Sequence, residues 1–427
     1  MQHHPSNTHF QGGPRSNSNQ SFQYPHHQQH HNHHQHHRQH QQQQETFSEN
    51  QFPVHPLDRF KVKCAPFRQP IEIGSFSYDE QRNFIMDDSQ LKYYFPPDLT
   101  KPNNLSANYE KYISRDLTVD EHIDALLDAL ICIREREQEQ GDGEKEPNAT
   151  SMTQANFICY RGLLTKIMCT PYARNEPWEM GATLYNGSIY IEEHVSAEKR
   201  ENAAGHNDRH KLMSYWGYRF ETICNISKPI SELRRIGKTN TRKRSRLDGI
   251  VDTNLQYCTV ARTKIGSNSI IMGAEVDCTS EPKKAPPHNP LSNYIELKTS
   301  RVISNAREQN SFERHKLLKF WAQSFLPGIP TIIVGFRDDD GNVITVKNFK
   351  TMEIPRLVRG KEGAWDTTIC INFLDAVLNF LRKQIKIDNP NISYTIRWAP
   401  PYKAIEVEYK GESTSSFLTD RFLKSQK

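Results

Sequence analysis

The sequence lacks the closely spaced cysteine pairs of a zinc site and any apolar stretch of membrane-spanning length. Its eight cysteines are scattered, and no two are separated by only two residues, so a structural zinc site is not expected. The sequence has no signal-like apolar segment at its N-terminus and no apolar run long enough to cross a bilayer. We therefore expect free thiols in a reducing intracellular compartment, with no membrane contact.

Apolar residues are also scarce over the first fifty positions. This stretch holds 12 of the chain's 19 histidines and cannot bury enough surface to offset its ordering entropy, which predicts a disordered segment over 1–50. Transition-metal binding by the histidines is the alternative. Residues 51–427 are predicted to form a single domain. They carry the net charge of +5, which permits a polyanionic partner but does not demand one.

Two short stretches, 270–278 and 294–299, are rich in apolar and β-branched residues and are bounded by Gly, Pro, Ser and Asn. They predict β-strands. Side chains two positions apart on a strand share a face. The charged side chains that share a face are then Glu275 with Asp277 and Glu296 with Lys298. If the two strands are adjacent, three carboxylates and one ammonium converge.

Such a cluster of like charges needs a counter-charge, because carboxylates side by side in an apolar strand repel one another. Hard carboxylate oxygens suit Mg²⁺ or Mn²⁺. Lys298 would then lie where it can orient a water nucleophile or stabilise charge on a phosphate. This arrangement predicts a metal-dependent phosphodiester hydrolase, and two metal ions would stand about 3.5–4 Å apart.

The remaining periodicity predicts an α+β fold in which a mixed β-sheet core is flanked by helices. An Asn186-Gly187 turn predicts a hairpin over 182–192. The Asp338–Asp340 run precedes a glycine and is interpreted as a tight turn instead of a metal site. The predicted helices are 119–138, 155–170, 208–224, 311–326 and a segment near 371–384.

Four charged side chains allow two interpretations each. Arg82 follows an alternating run and is most simply a solvated surface residue. Glu121 falls in the first turn of the first predicted helix, where capping alone would explain it. Arg161 lies in a predicted buried helix and needs an anion, by default a structural carboxylate instead of a phosphate ligand. Glu221 is either a metal ligand or a solvated edge residue.

Seven basic residues cluster between 234 and 246, inside a loop predicted near 231–250. The cluster fits a nuclear-import signal, an RNA-contacting loop or a merely solvated loop.

Taken together, the motifs resemble a known family. Asp277, followed after eighteen residues by Glu296-x-Lys298, resembles the nuclease superfamily defined by Asp…(Asp/Glu)-x-Lys. The fuller set resembles the DXO decapping exoribonuclease family over roughly residues 65–400. The motifs, in order, are Tyr160-Arg161-Gly162-x-x-Thr165-Lys166, Gly217-Tyr218-Arg219-Phe220-Glu221, Gly273-Ala274-Glu275-Val276-Asp277-Cys278, Ile295-Glu296-Leu297-Lys298-Thr299 and a segment from Lys316 to Pro327.

The resemblance implies roles for individual residues. Lys298 would act on the nucleophile or the scissile phosphate, and Gln323 would lie in the active site. The metal ligands would be Glu221, Glu275, Asp277, Glu296 and the carbonyl of Leu297. Arg161 with its neighbours Tyr160 and Gly162 would hold RNA phosphates. The substrate path would be lined by Arg82, Glu121 and Cys258, with Glu275, Lys298 and Gln323 also touching substrate.

The resemblance also implies an activity. Members of the family hydrolyse incomplete, unmethylated or nicotinamide caps and 5′ triphosphates of RNA, and many degrade RNA 5′→3′. Some fungal members bind and stabilise a nuclear 5′→3′ exoribonuclease, so a non-catalytic RNA-binding scaffold is the alternative function, although all four acidic ligands are present here. A DNA-directed nuclease is a third hypothesis. With the basic cluster, these features predict a nuclear protein, and the cytoplasm is a second expected location.

Overall fold

Two β-sheets form the framework of the structure, and the chain passes between them several times. Residues Phe47–Lys427 belong to one structural unit. Most of the predicted disordered segment and of the basic cluster lies outside the residues that can be described. The computed structural model describes residues 46–139, 151–194, 208–235, 246–284, 287–413 and 416–426.

The first sheet has ten strands, of which the central ones are buried on both faces. In spatial order they are β1 (Gln51–Pro53), β16 (Ala404–Glu412), β15 (Ile392–Trp398), β6 (Trp178–Tyr185), β7 (Ser188–His194), β5 (Phe157–Tyr160), β10 (Asn268–Glu275), β9 (Gln256–Ile265), β2 (Phe67–Tyr78) and β3 (Phe84–Ile85). β5 runs parallel to both β7 and β10, whereas the other pairs are antiparallel. The hairpin predicted at Asn186-Gly187 joins β6 to β7, and both turn residues have positive φ.

The second sheet has six strands. In spatial order they are β14 (Val343–Lys350), β13 (Thr331–Arg337), β12 (Tyr294–Arg301), β11 (Cys278–Thr279), β4 (Tyr93–Tyr94) and β8 (Asn225–Ile226). The Asp338 carboxylate accepts the backbone N–H groups of Asp340 (3.0 Å) and Asn342 (2.8 Å) in the turn between β13 and β14. The interpretation of the aspartate run as a turn is therefore confirmed, and the mixed sheets confirm the α+β prediction.

Helices flank both sheets. They are α1 (Asp124–Glu139), α2 (Arg161–Cys169), α3 (Asp208–Cys224), α4 (Ile230–Arg235), α5 (Ala306–Ser311), α6 (Leu317–Phe325), α7 (Ile354–Val358), α8 (Thr367–Gln384) and α9 (Asp420–Ser425). A π-helical turn, Phe312–Lys316, joins α5 to α6, where the Trp365 indole N–H donates to the Glu313 carbonyl at 2.9 Å. That extra hydrogen bond accounts for the local widening, because an inserted donor disturbs the helical ladder.

Two predicted helices were wrong in their N-terminal parts. The run at 157–160 is strand β5 and not the start of a helix, because a short, fully apolar run does not distinguish a buried strand from a buried helix. The first helix begins at Asp124 and not at 119, since His122 has a φ of 45°, which is incompatible with a right-handed helix. Glu121 therefore precedes α1, and its interpretation as a first-turn residue was wrong. Helix α4 (Ile230–Arg235) also occupies the start of the loop that was predicted near 231–250.

The strands that carry the acidic motifs are not adjacent, so the condition under which convergence was expected is not met. β10 belongs to the first sheet and β12 to the second. The chain leaves β10 at Glu275, crosses between the sheets at Val276 and Asp277, and enters β11, where Cys278 pairs with Ile295 of β12. The carboxylates still converge, because this crossing carries Asp277 from the end of one sheet to the side of the other.

Candidate active site

Glu296 is a buried carboxylate held between two cations. Its side chain is 1% exposed. Lys298 Nζ donates to Glu296 Oε1 at 2.5 Å, and Arg161 Nη1 donates to Glu296 Oε2 at 3.0 Å. Burial favours the neutral acid, but the charges of Arg161 and Lys298 and their hydrogen bonds outweigh it and lower the pKa of Glu296 to about 2. Glu296 is therefore a carboxylate at every physiological pH.

Arg161 connects three elements at this point. It is the first residue of α2, directly after β5, and it also donates to the backbone carbonyl of Gln323 on α6 at 3.2 Å. The expectation that a buried arginine finds a carboxylate is confirmed, with Glu296 as that carboxylate. Gln323 thus lies beside the Arg161–Glu296 pair, whereas exposed Gly162 has no atom within 4 Å of the place where a Cβ would stand.

Asp277 is fixed by the backbone of the neighbouring strand. The Leu297 N–H donates to Asp277 Oδ2 at 2.6 Å, and Asn225 Nδ2 donates to the Asp277 carbonyl at 3.1 Å. Burial and the nearby Glu296 charge raise the pKa of Asp277 to about 7, against the opposing effect of Lys298. Its charge is therefore poorly compensated by the protein alone.

Glu221 reaches the site from the last turn of α3. This helix lies close to the second sheet because Gly335 on β13 has no side chain, and a Cβ there would stand 2.4 Å from the ring of Phe220. Burial, followed by the charges of Asp277 and Glu275, raises the pKa of Glu221 well above its usual value. The ambiguity over Glu221 is resolved in one respect, since it lies among the acidic residues and not on a solvated edge.

A cavity of about 330 Å³ opens in front of these carboxylates. Glu221, Glu275 and Asp277 line it, and Gln256 Nε2 donates to Glu275 Oε1 at 3.0 Å. Sequence reasoning missed the other polar lining residues, which include Gln256 and Lys92. The structure begins β9 at Gln256, two positions before Cys258, so the two side chains share a face of the strand. Nothing in the sequence distinguishes Lys92 from a surface lysine.

A second group of predicted residues surrounds Arg82. Its guanidinium makes two hydrogen bonds to the Glu121 carboxylate, at 2.9 and 3.0 Å, and stacks 3.7 Å from the Tyr78 ring centroid. The surface interpretation of Arg82 was therefore wrong. Tyr78 in turn hydrogen bonds with the Tyr160 side chain, whose ring packs where a Gly273 Cβ would stand.

Cys258 connects this Arg82 group to the acidic cavity. It pairs with Glu275 across β9 and β10, and its thiol is buried, which raises its pKa and keeps it protonated. All eight cysteines are free, as expected. The predicted residues thus fall into two neighbouring groups, while their catalytic, metal-binding and substrate-binding roles stay predictions.

The donor set is suited to a hard divalent cation. Four carboxylates converge from α3, the end of β10, the crossing segment and β12, and the raised pKa values of Glu221 and Asp277 express the missing counter-charge. Within the described ranges, no three His, Cys, Asp or Glu side chains already form a compact ligand cluster, and two cations occupy the oxygens of Glu296.

Among the same residues, no helix is long and apolar enough to span a membrane.

The two-sheet fold and the acidic cavity with its Glu-x-Lys strand define a nuclease of the PD-(D/E)XK class. A family model described as RAI1 like PD-(D/E)XK nuclease matches residues 68–423. The chain belongs to this family, whose members are decapping hydrolases.

Individual relatives agree with the assignment. The chain is 38% identical to the decapping nuclease RAI1 of Neurospora crassa over 383 residues, which cover 87% of this chain and 86% of that protein. It is 36% identical to the human decapping and exoribonuclease protein, over 78% of this chain and 80% of that one. The crystal structure of Candida albicans Rai1 in complex with pU5 and Mn²⁺ superposes with a TM-score of 0.75 and 26% identity, covering 90% of this chain and 98% of that one.

Proposed function

We propose that the protein is a metal-dependent quality-control hydrolase of RNA 5′ ends. It removes incomplete or non-canonical caps, including nicotinamide caps, releases pyrophosphate from 5′ triphosphates and degrades RNA 5′→3′. The observation that carries the proposal is the cavity lined by Glu221, Glu275 and Asp277, backed by the Glu296–Lys298 pair. Family membership supplies the RNA 5′ end as the substrate.

The cofactor in this proposal is Mg²⁺ or Mn²⁺, bound as two ions. Such ions supply charge neutralisation at the scissile phosphate and acidify a bound water. The four carboxylates would hold them, with the Leu297 carbonyl assisting. The Leu297 N–H already fixes Asp277, so at least one donor is oriented before any cation or RNA arrives.

The basic side chains have separate tasks in the reaction. Lys298, hydrogen bonded to buried Glu296, stays protonated, because the charges of Glu296 and Asp277 outweigh burial and raise its pKa. It holds the attacking water or the non-bridging oxygens of the phosphate. Arg161 is the first residue of helix α2, and its charge together with the helix N-terminus would hold an RNA phosphate, as the family resemblance implies. Water attacks phosphorus, and the bond to the leaving oxygen breaks.

One site can act on several 5′ groups because each reaction breaks a P–O bond near the same RNA end. The carboxylates act on the phosphate and not on the group that leaves. Nicotinamide caps and triphosphates then differ only in what must fit the cavity of about 330 Å³, a volume at the lower end of ligand sites.

The decisive experiment compares RNAs of identical sequence that differ only at the 5′ end. Triphosphorylated, unmethylated-capped, NAD-capped and monophosphorylated RNAs are incubated with Mn²⁺, and the released groups are identified by mass spectrometry. We expect pyrophosphate from the triphosphorylated RNA, the cap dinucleotide from each of the two capped RNAs and nucleotides from the monophosphorylated RNA. All of these products should be lost in Glu275→Ala. Full activity of that variant would contradict the proposal, and equal cleavage of single-stranded DNA would favour a DNA-directed nuclease.

A second candidate function is a scaffold that stabilises a nuclear 5′→3′ exoribonuclease. Exposed apolar side chains on the edge strand β14 and beside it, Ile344 at 54% and Met352 at 69%, favour a protein contact at this edge. Co-purification of a tagged chain with such a nuclease tests the partner. A variant with Ile344→Asp that loses the partner but keeps hydrolysis would show that the two functions are separate.

Nuclear localisation is proposed from the basic cluster alone. Residues 236–245 lie outside the described part of the chain, while Arg246 at its end is buried and donates to the carbonyls of Phe95 and Pro96. Arg246 is therefore committed to the fold. Deletion of 236–245 should move a fluorescent fusion to the cytoplasm, and an unchanged distribution would contradict the proposal.

A further inference from the structure

Lys92 places an ammonium group without a carboxylate partner in the same cavity as the acidic residues. It lines the cavity together with Glu221, Glu275 and Asp277. Its Nζ donates to the side-chain carbonyl of Gln90 at 3.0 Å. Within the described part of the chain, no ion pair joins Lys92 to any carboxylate, although four carboxylates line the cavity, those of Glu221, Asp252, Glu275 and Asp277.

Backbone hydrogen bonds to the second sheet fix the main chain at Lys92. Its carbonyl accepts the Thr279 N–H at 2.9 Å, and Tyr93, the next residue, pairs with Thr279 of β11. β11 directly follows Asp277 in the chain. The backbone of Lys92 is therefore hydrogen bonded to β11, which directly follows the segment that contains Asp277.

An unpaired ammonium in this setting is costly unless a ligand compensates it. Lys92 is only partly exposed, and burial lowers its pKa because a charge away from water is unfavourable without a counter-ion. The same cavity also holds the oppositely charged carboxylates of Glu221, Glu275 and Asp277. A ligand that carries a metal at one end and an anionic group at the other would compensate both kinds of charge in the cavity.

We propose that Lys92, supported by Gln90, binds the leaving pyrophosphate of a 5′ triphosphate, which lies directly beyond the scissile bond. Lys92 is then a specificity residue for polyphosphorylated 5′ ends. The inference rests on the proposed function, because it assigns a place in that site to the leaving group. Arg246 lines the same cavity but is engaged with backbone carbonyls, which leaves Lys92 as the side chain suited to the task.

The test compares Lys92→Met, which keeps the apolar stem, with Lys92→Arg, which keeps the charge. The kcat/KM values for pyrophosphate release from 5′-triphosphate RNA and for cleavage of 5′-monophosphate RNA of the same sequence are measured for each. We expect Lys92→Met to lower the first value by about tenfold more than the second, as one lost charge-assisted hydrogen bond predicts. Lys92→Arg should restore most of the loss, and exposed Lys61→Met is the control.

Binding provides a second measurement that does not depend on turnover. Calorimetry with inorganic pyrophosphate and Mg²⁺ should show a dissociation constant about tenfold higher for Lys92→Met than for the unmodified protein. Equal losses on both RNA substrates, or an unchanged pyrophosphate affinity, would overturn the assignment. If the unmodified protein binds pyrophosphate through Lys92 but releases none from triphosphate RNA, the proposed function fails and the subsite stands.

Discussion

The backbone N–H of Leu297 donates to Asp277 Oδ2 at 2.6 Å, and this hydrogen bond joins the two sheets at the candidate active site. Asp277 lies on the segment that leaves the first sheet, whereas Leu297 lies between Glu296 and Lys298 on β12 of the second. The bond fixes the carboxylate relative to the Glu-x-Lys strand. One oxygen of Asp277 is thereby committed to the backbone, and the other is available to a ligand.

Asp277→Asn separates the structural task of this side chain from its chemical one. The amide oxygen can still accept the Leu297 N–H, so the fold and the thermal midpoint should change little. The charge is lost, and we expect kcat to fall by at least about a hundredfold, because even the indirect supports of a metal ligand contribute ten- to hundredfold. Product release from 5′-triphosphate RNA measures the loss of kcat, and circular dichroism measures the fold and the thermal midpoint.

The matched control is Asp340→Asn, which alters an exposed turn residue and should leave the rate unchanged. A loss of activity that accompanies unfolding of Asp277→Asn, or a rate equal to that of the unmodified protein, would contradict this account.

Much of the fold followed from local patterns, as the prediction of a helix over 208–224 and the structure's Asp208–Cys224 show. The failures have physical causes. Periodicity could not separate strand Phe157–Tyr160 from a helix, because a fully buried strand is apolar on both faces. Nor does a sequence show which sheet a strand joins, and so the adjacency of β10 and β12 could be stated only as a condition.

The site was predicted in part for the same reason. Glu296 and Lys298 share a strand face, a local relationship that the sequence contains, and they do form a hydrogen bond. Arg82 and Glu121 are separated by 38 intervening residues, and no periodic pattern could connect them. Lys92 was missed because its importance lies only in what surrounds it in three dimensions.

Divalent metal should stabilise the folded protein measurably. Glu221, Glu275 and Asp277 repel one another across the cavity, and a bound cation removes that repulsion. At a hundredfold excess over its dissociation constant a ligand contributes about 2.7 kcal/mol, so Mn²⁺ should raise Tm by several degrees relative to EDTA. Differential scanning calorimetry measures the shift.

The shift should shrink in Glu221→Gln, which keeps the shape of the side chain and removes a charged donor. It should persist in Asp340→Asn, because the Asp340 carboxylate lies in the solvent-exposed turn between β13 and β14 and does not line the cavity. Equal Tm values with Mn²⁺ and with EDTA in the unmodified protein would show that no cation binds the folded state preferentially.

The Arg82–Glu121 pair should contribute more than an ordinary surface ion pair. Its side chains are 14% and 26% exposed, and the contact is bidentate. A double-mutant cycle with Arg82→Met and Glu121→Gln should yield a coupling energy of about 1–3 kcal/mol in denaturant unfolding.

The comparison pair is Lys228–Glu232, whose side chains are 47% and 33% exposed and whose coupling should stay at or below about 0.5 kcal/mol. Similar couplings for the two pairs would mean that Arg82 is held by packing on Tyr78 and not by its carboxylate partner.

The last prediction concerns two histidines that share one buried carboxylate, Glu192, on strand β7 of the first sheet. His122 Nδ1 lies 2.6 Å and His194 Nε2 3.3 Å from oxygens of Glu192, which is 5% exposed. The hydrogen bond to Glu192 raises the pKa of His194 against burial, and for His122 burial opposes but the same carboxylate prevails. Further negative charges nearby are Asp120, Asp124 and Glu179.

Because both folded-state pKa values lie above the ordinary 6.5, the charged histidines add stability that is complete below pH 6.5 and disappears as pH rises through the raised values. The double variant His122→Gln, His194→Gln keeps a hydrogen-bond donor for Glu192 but no charge. Its deficit in the free energy of unfolding should therefore be largest near pH 6 and smallest near pH 9. Urea unfolding across this range measures the deficit, with exposed His288→Gln as the control, and a deficit that is constant with pH would refute the charged state of the pair.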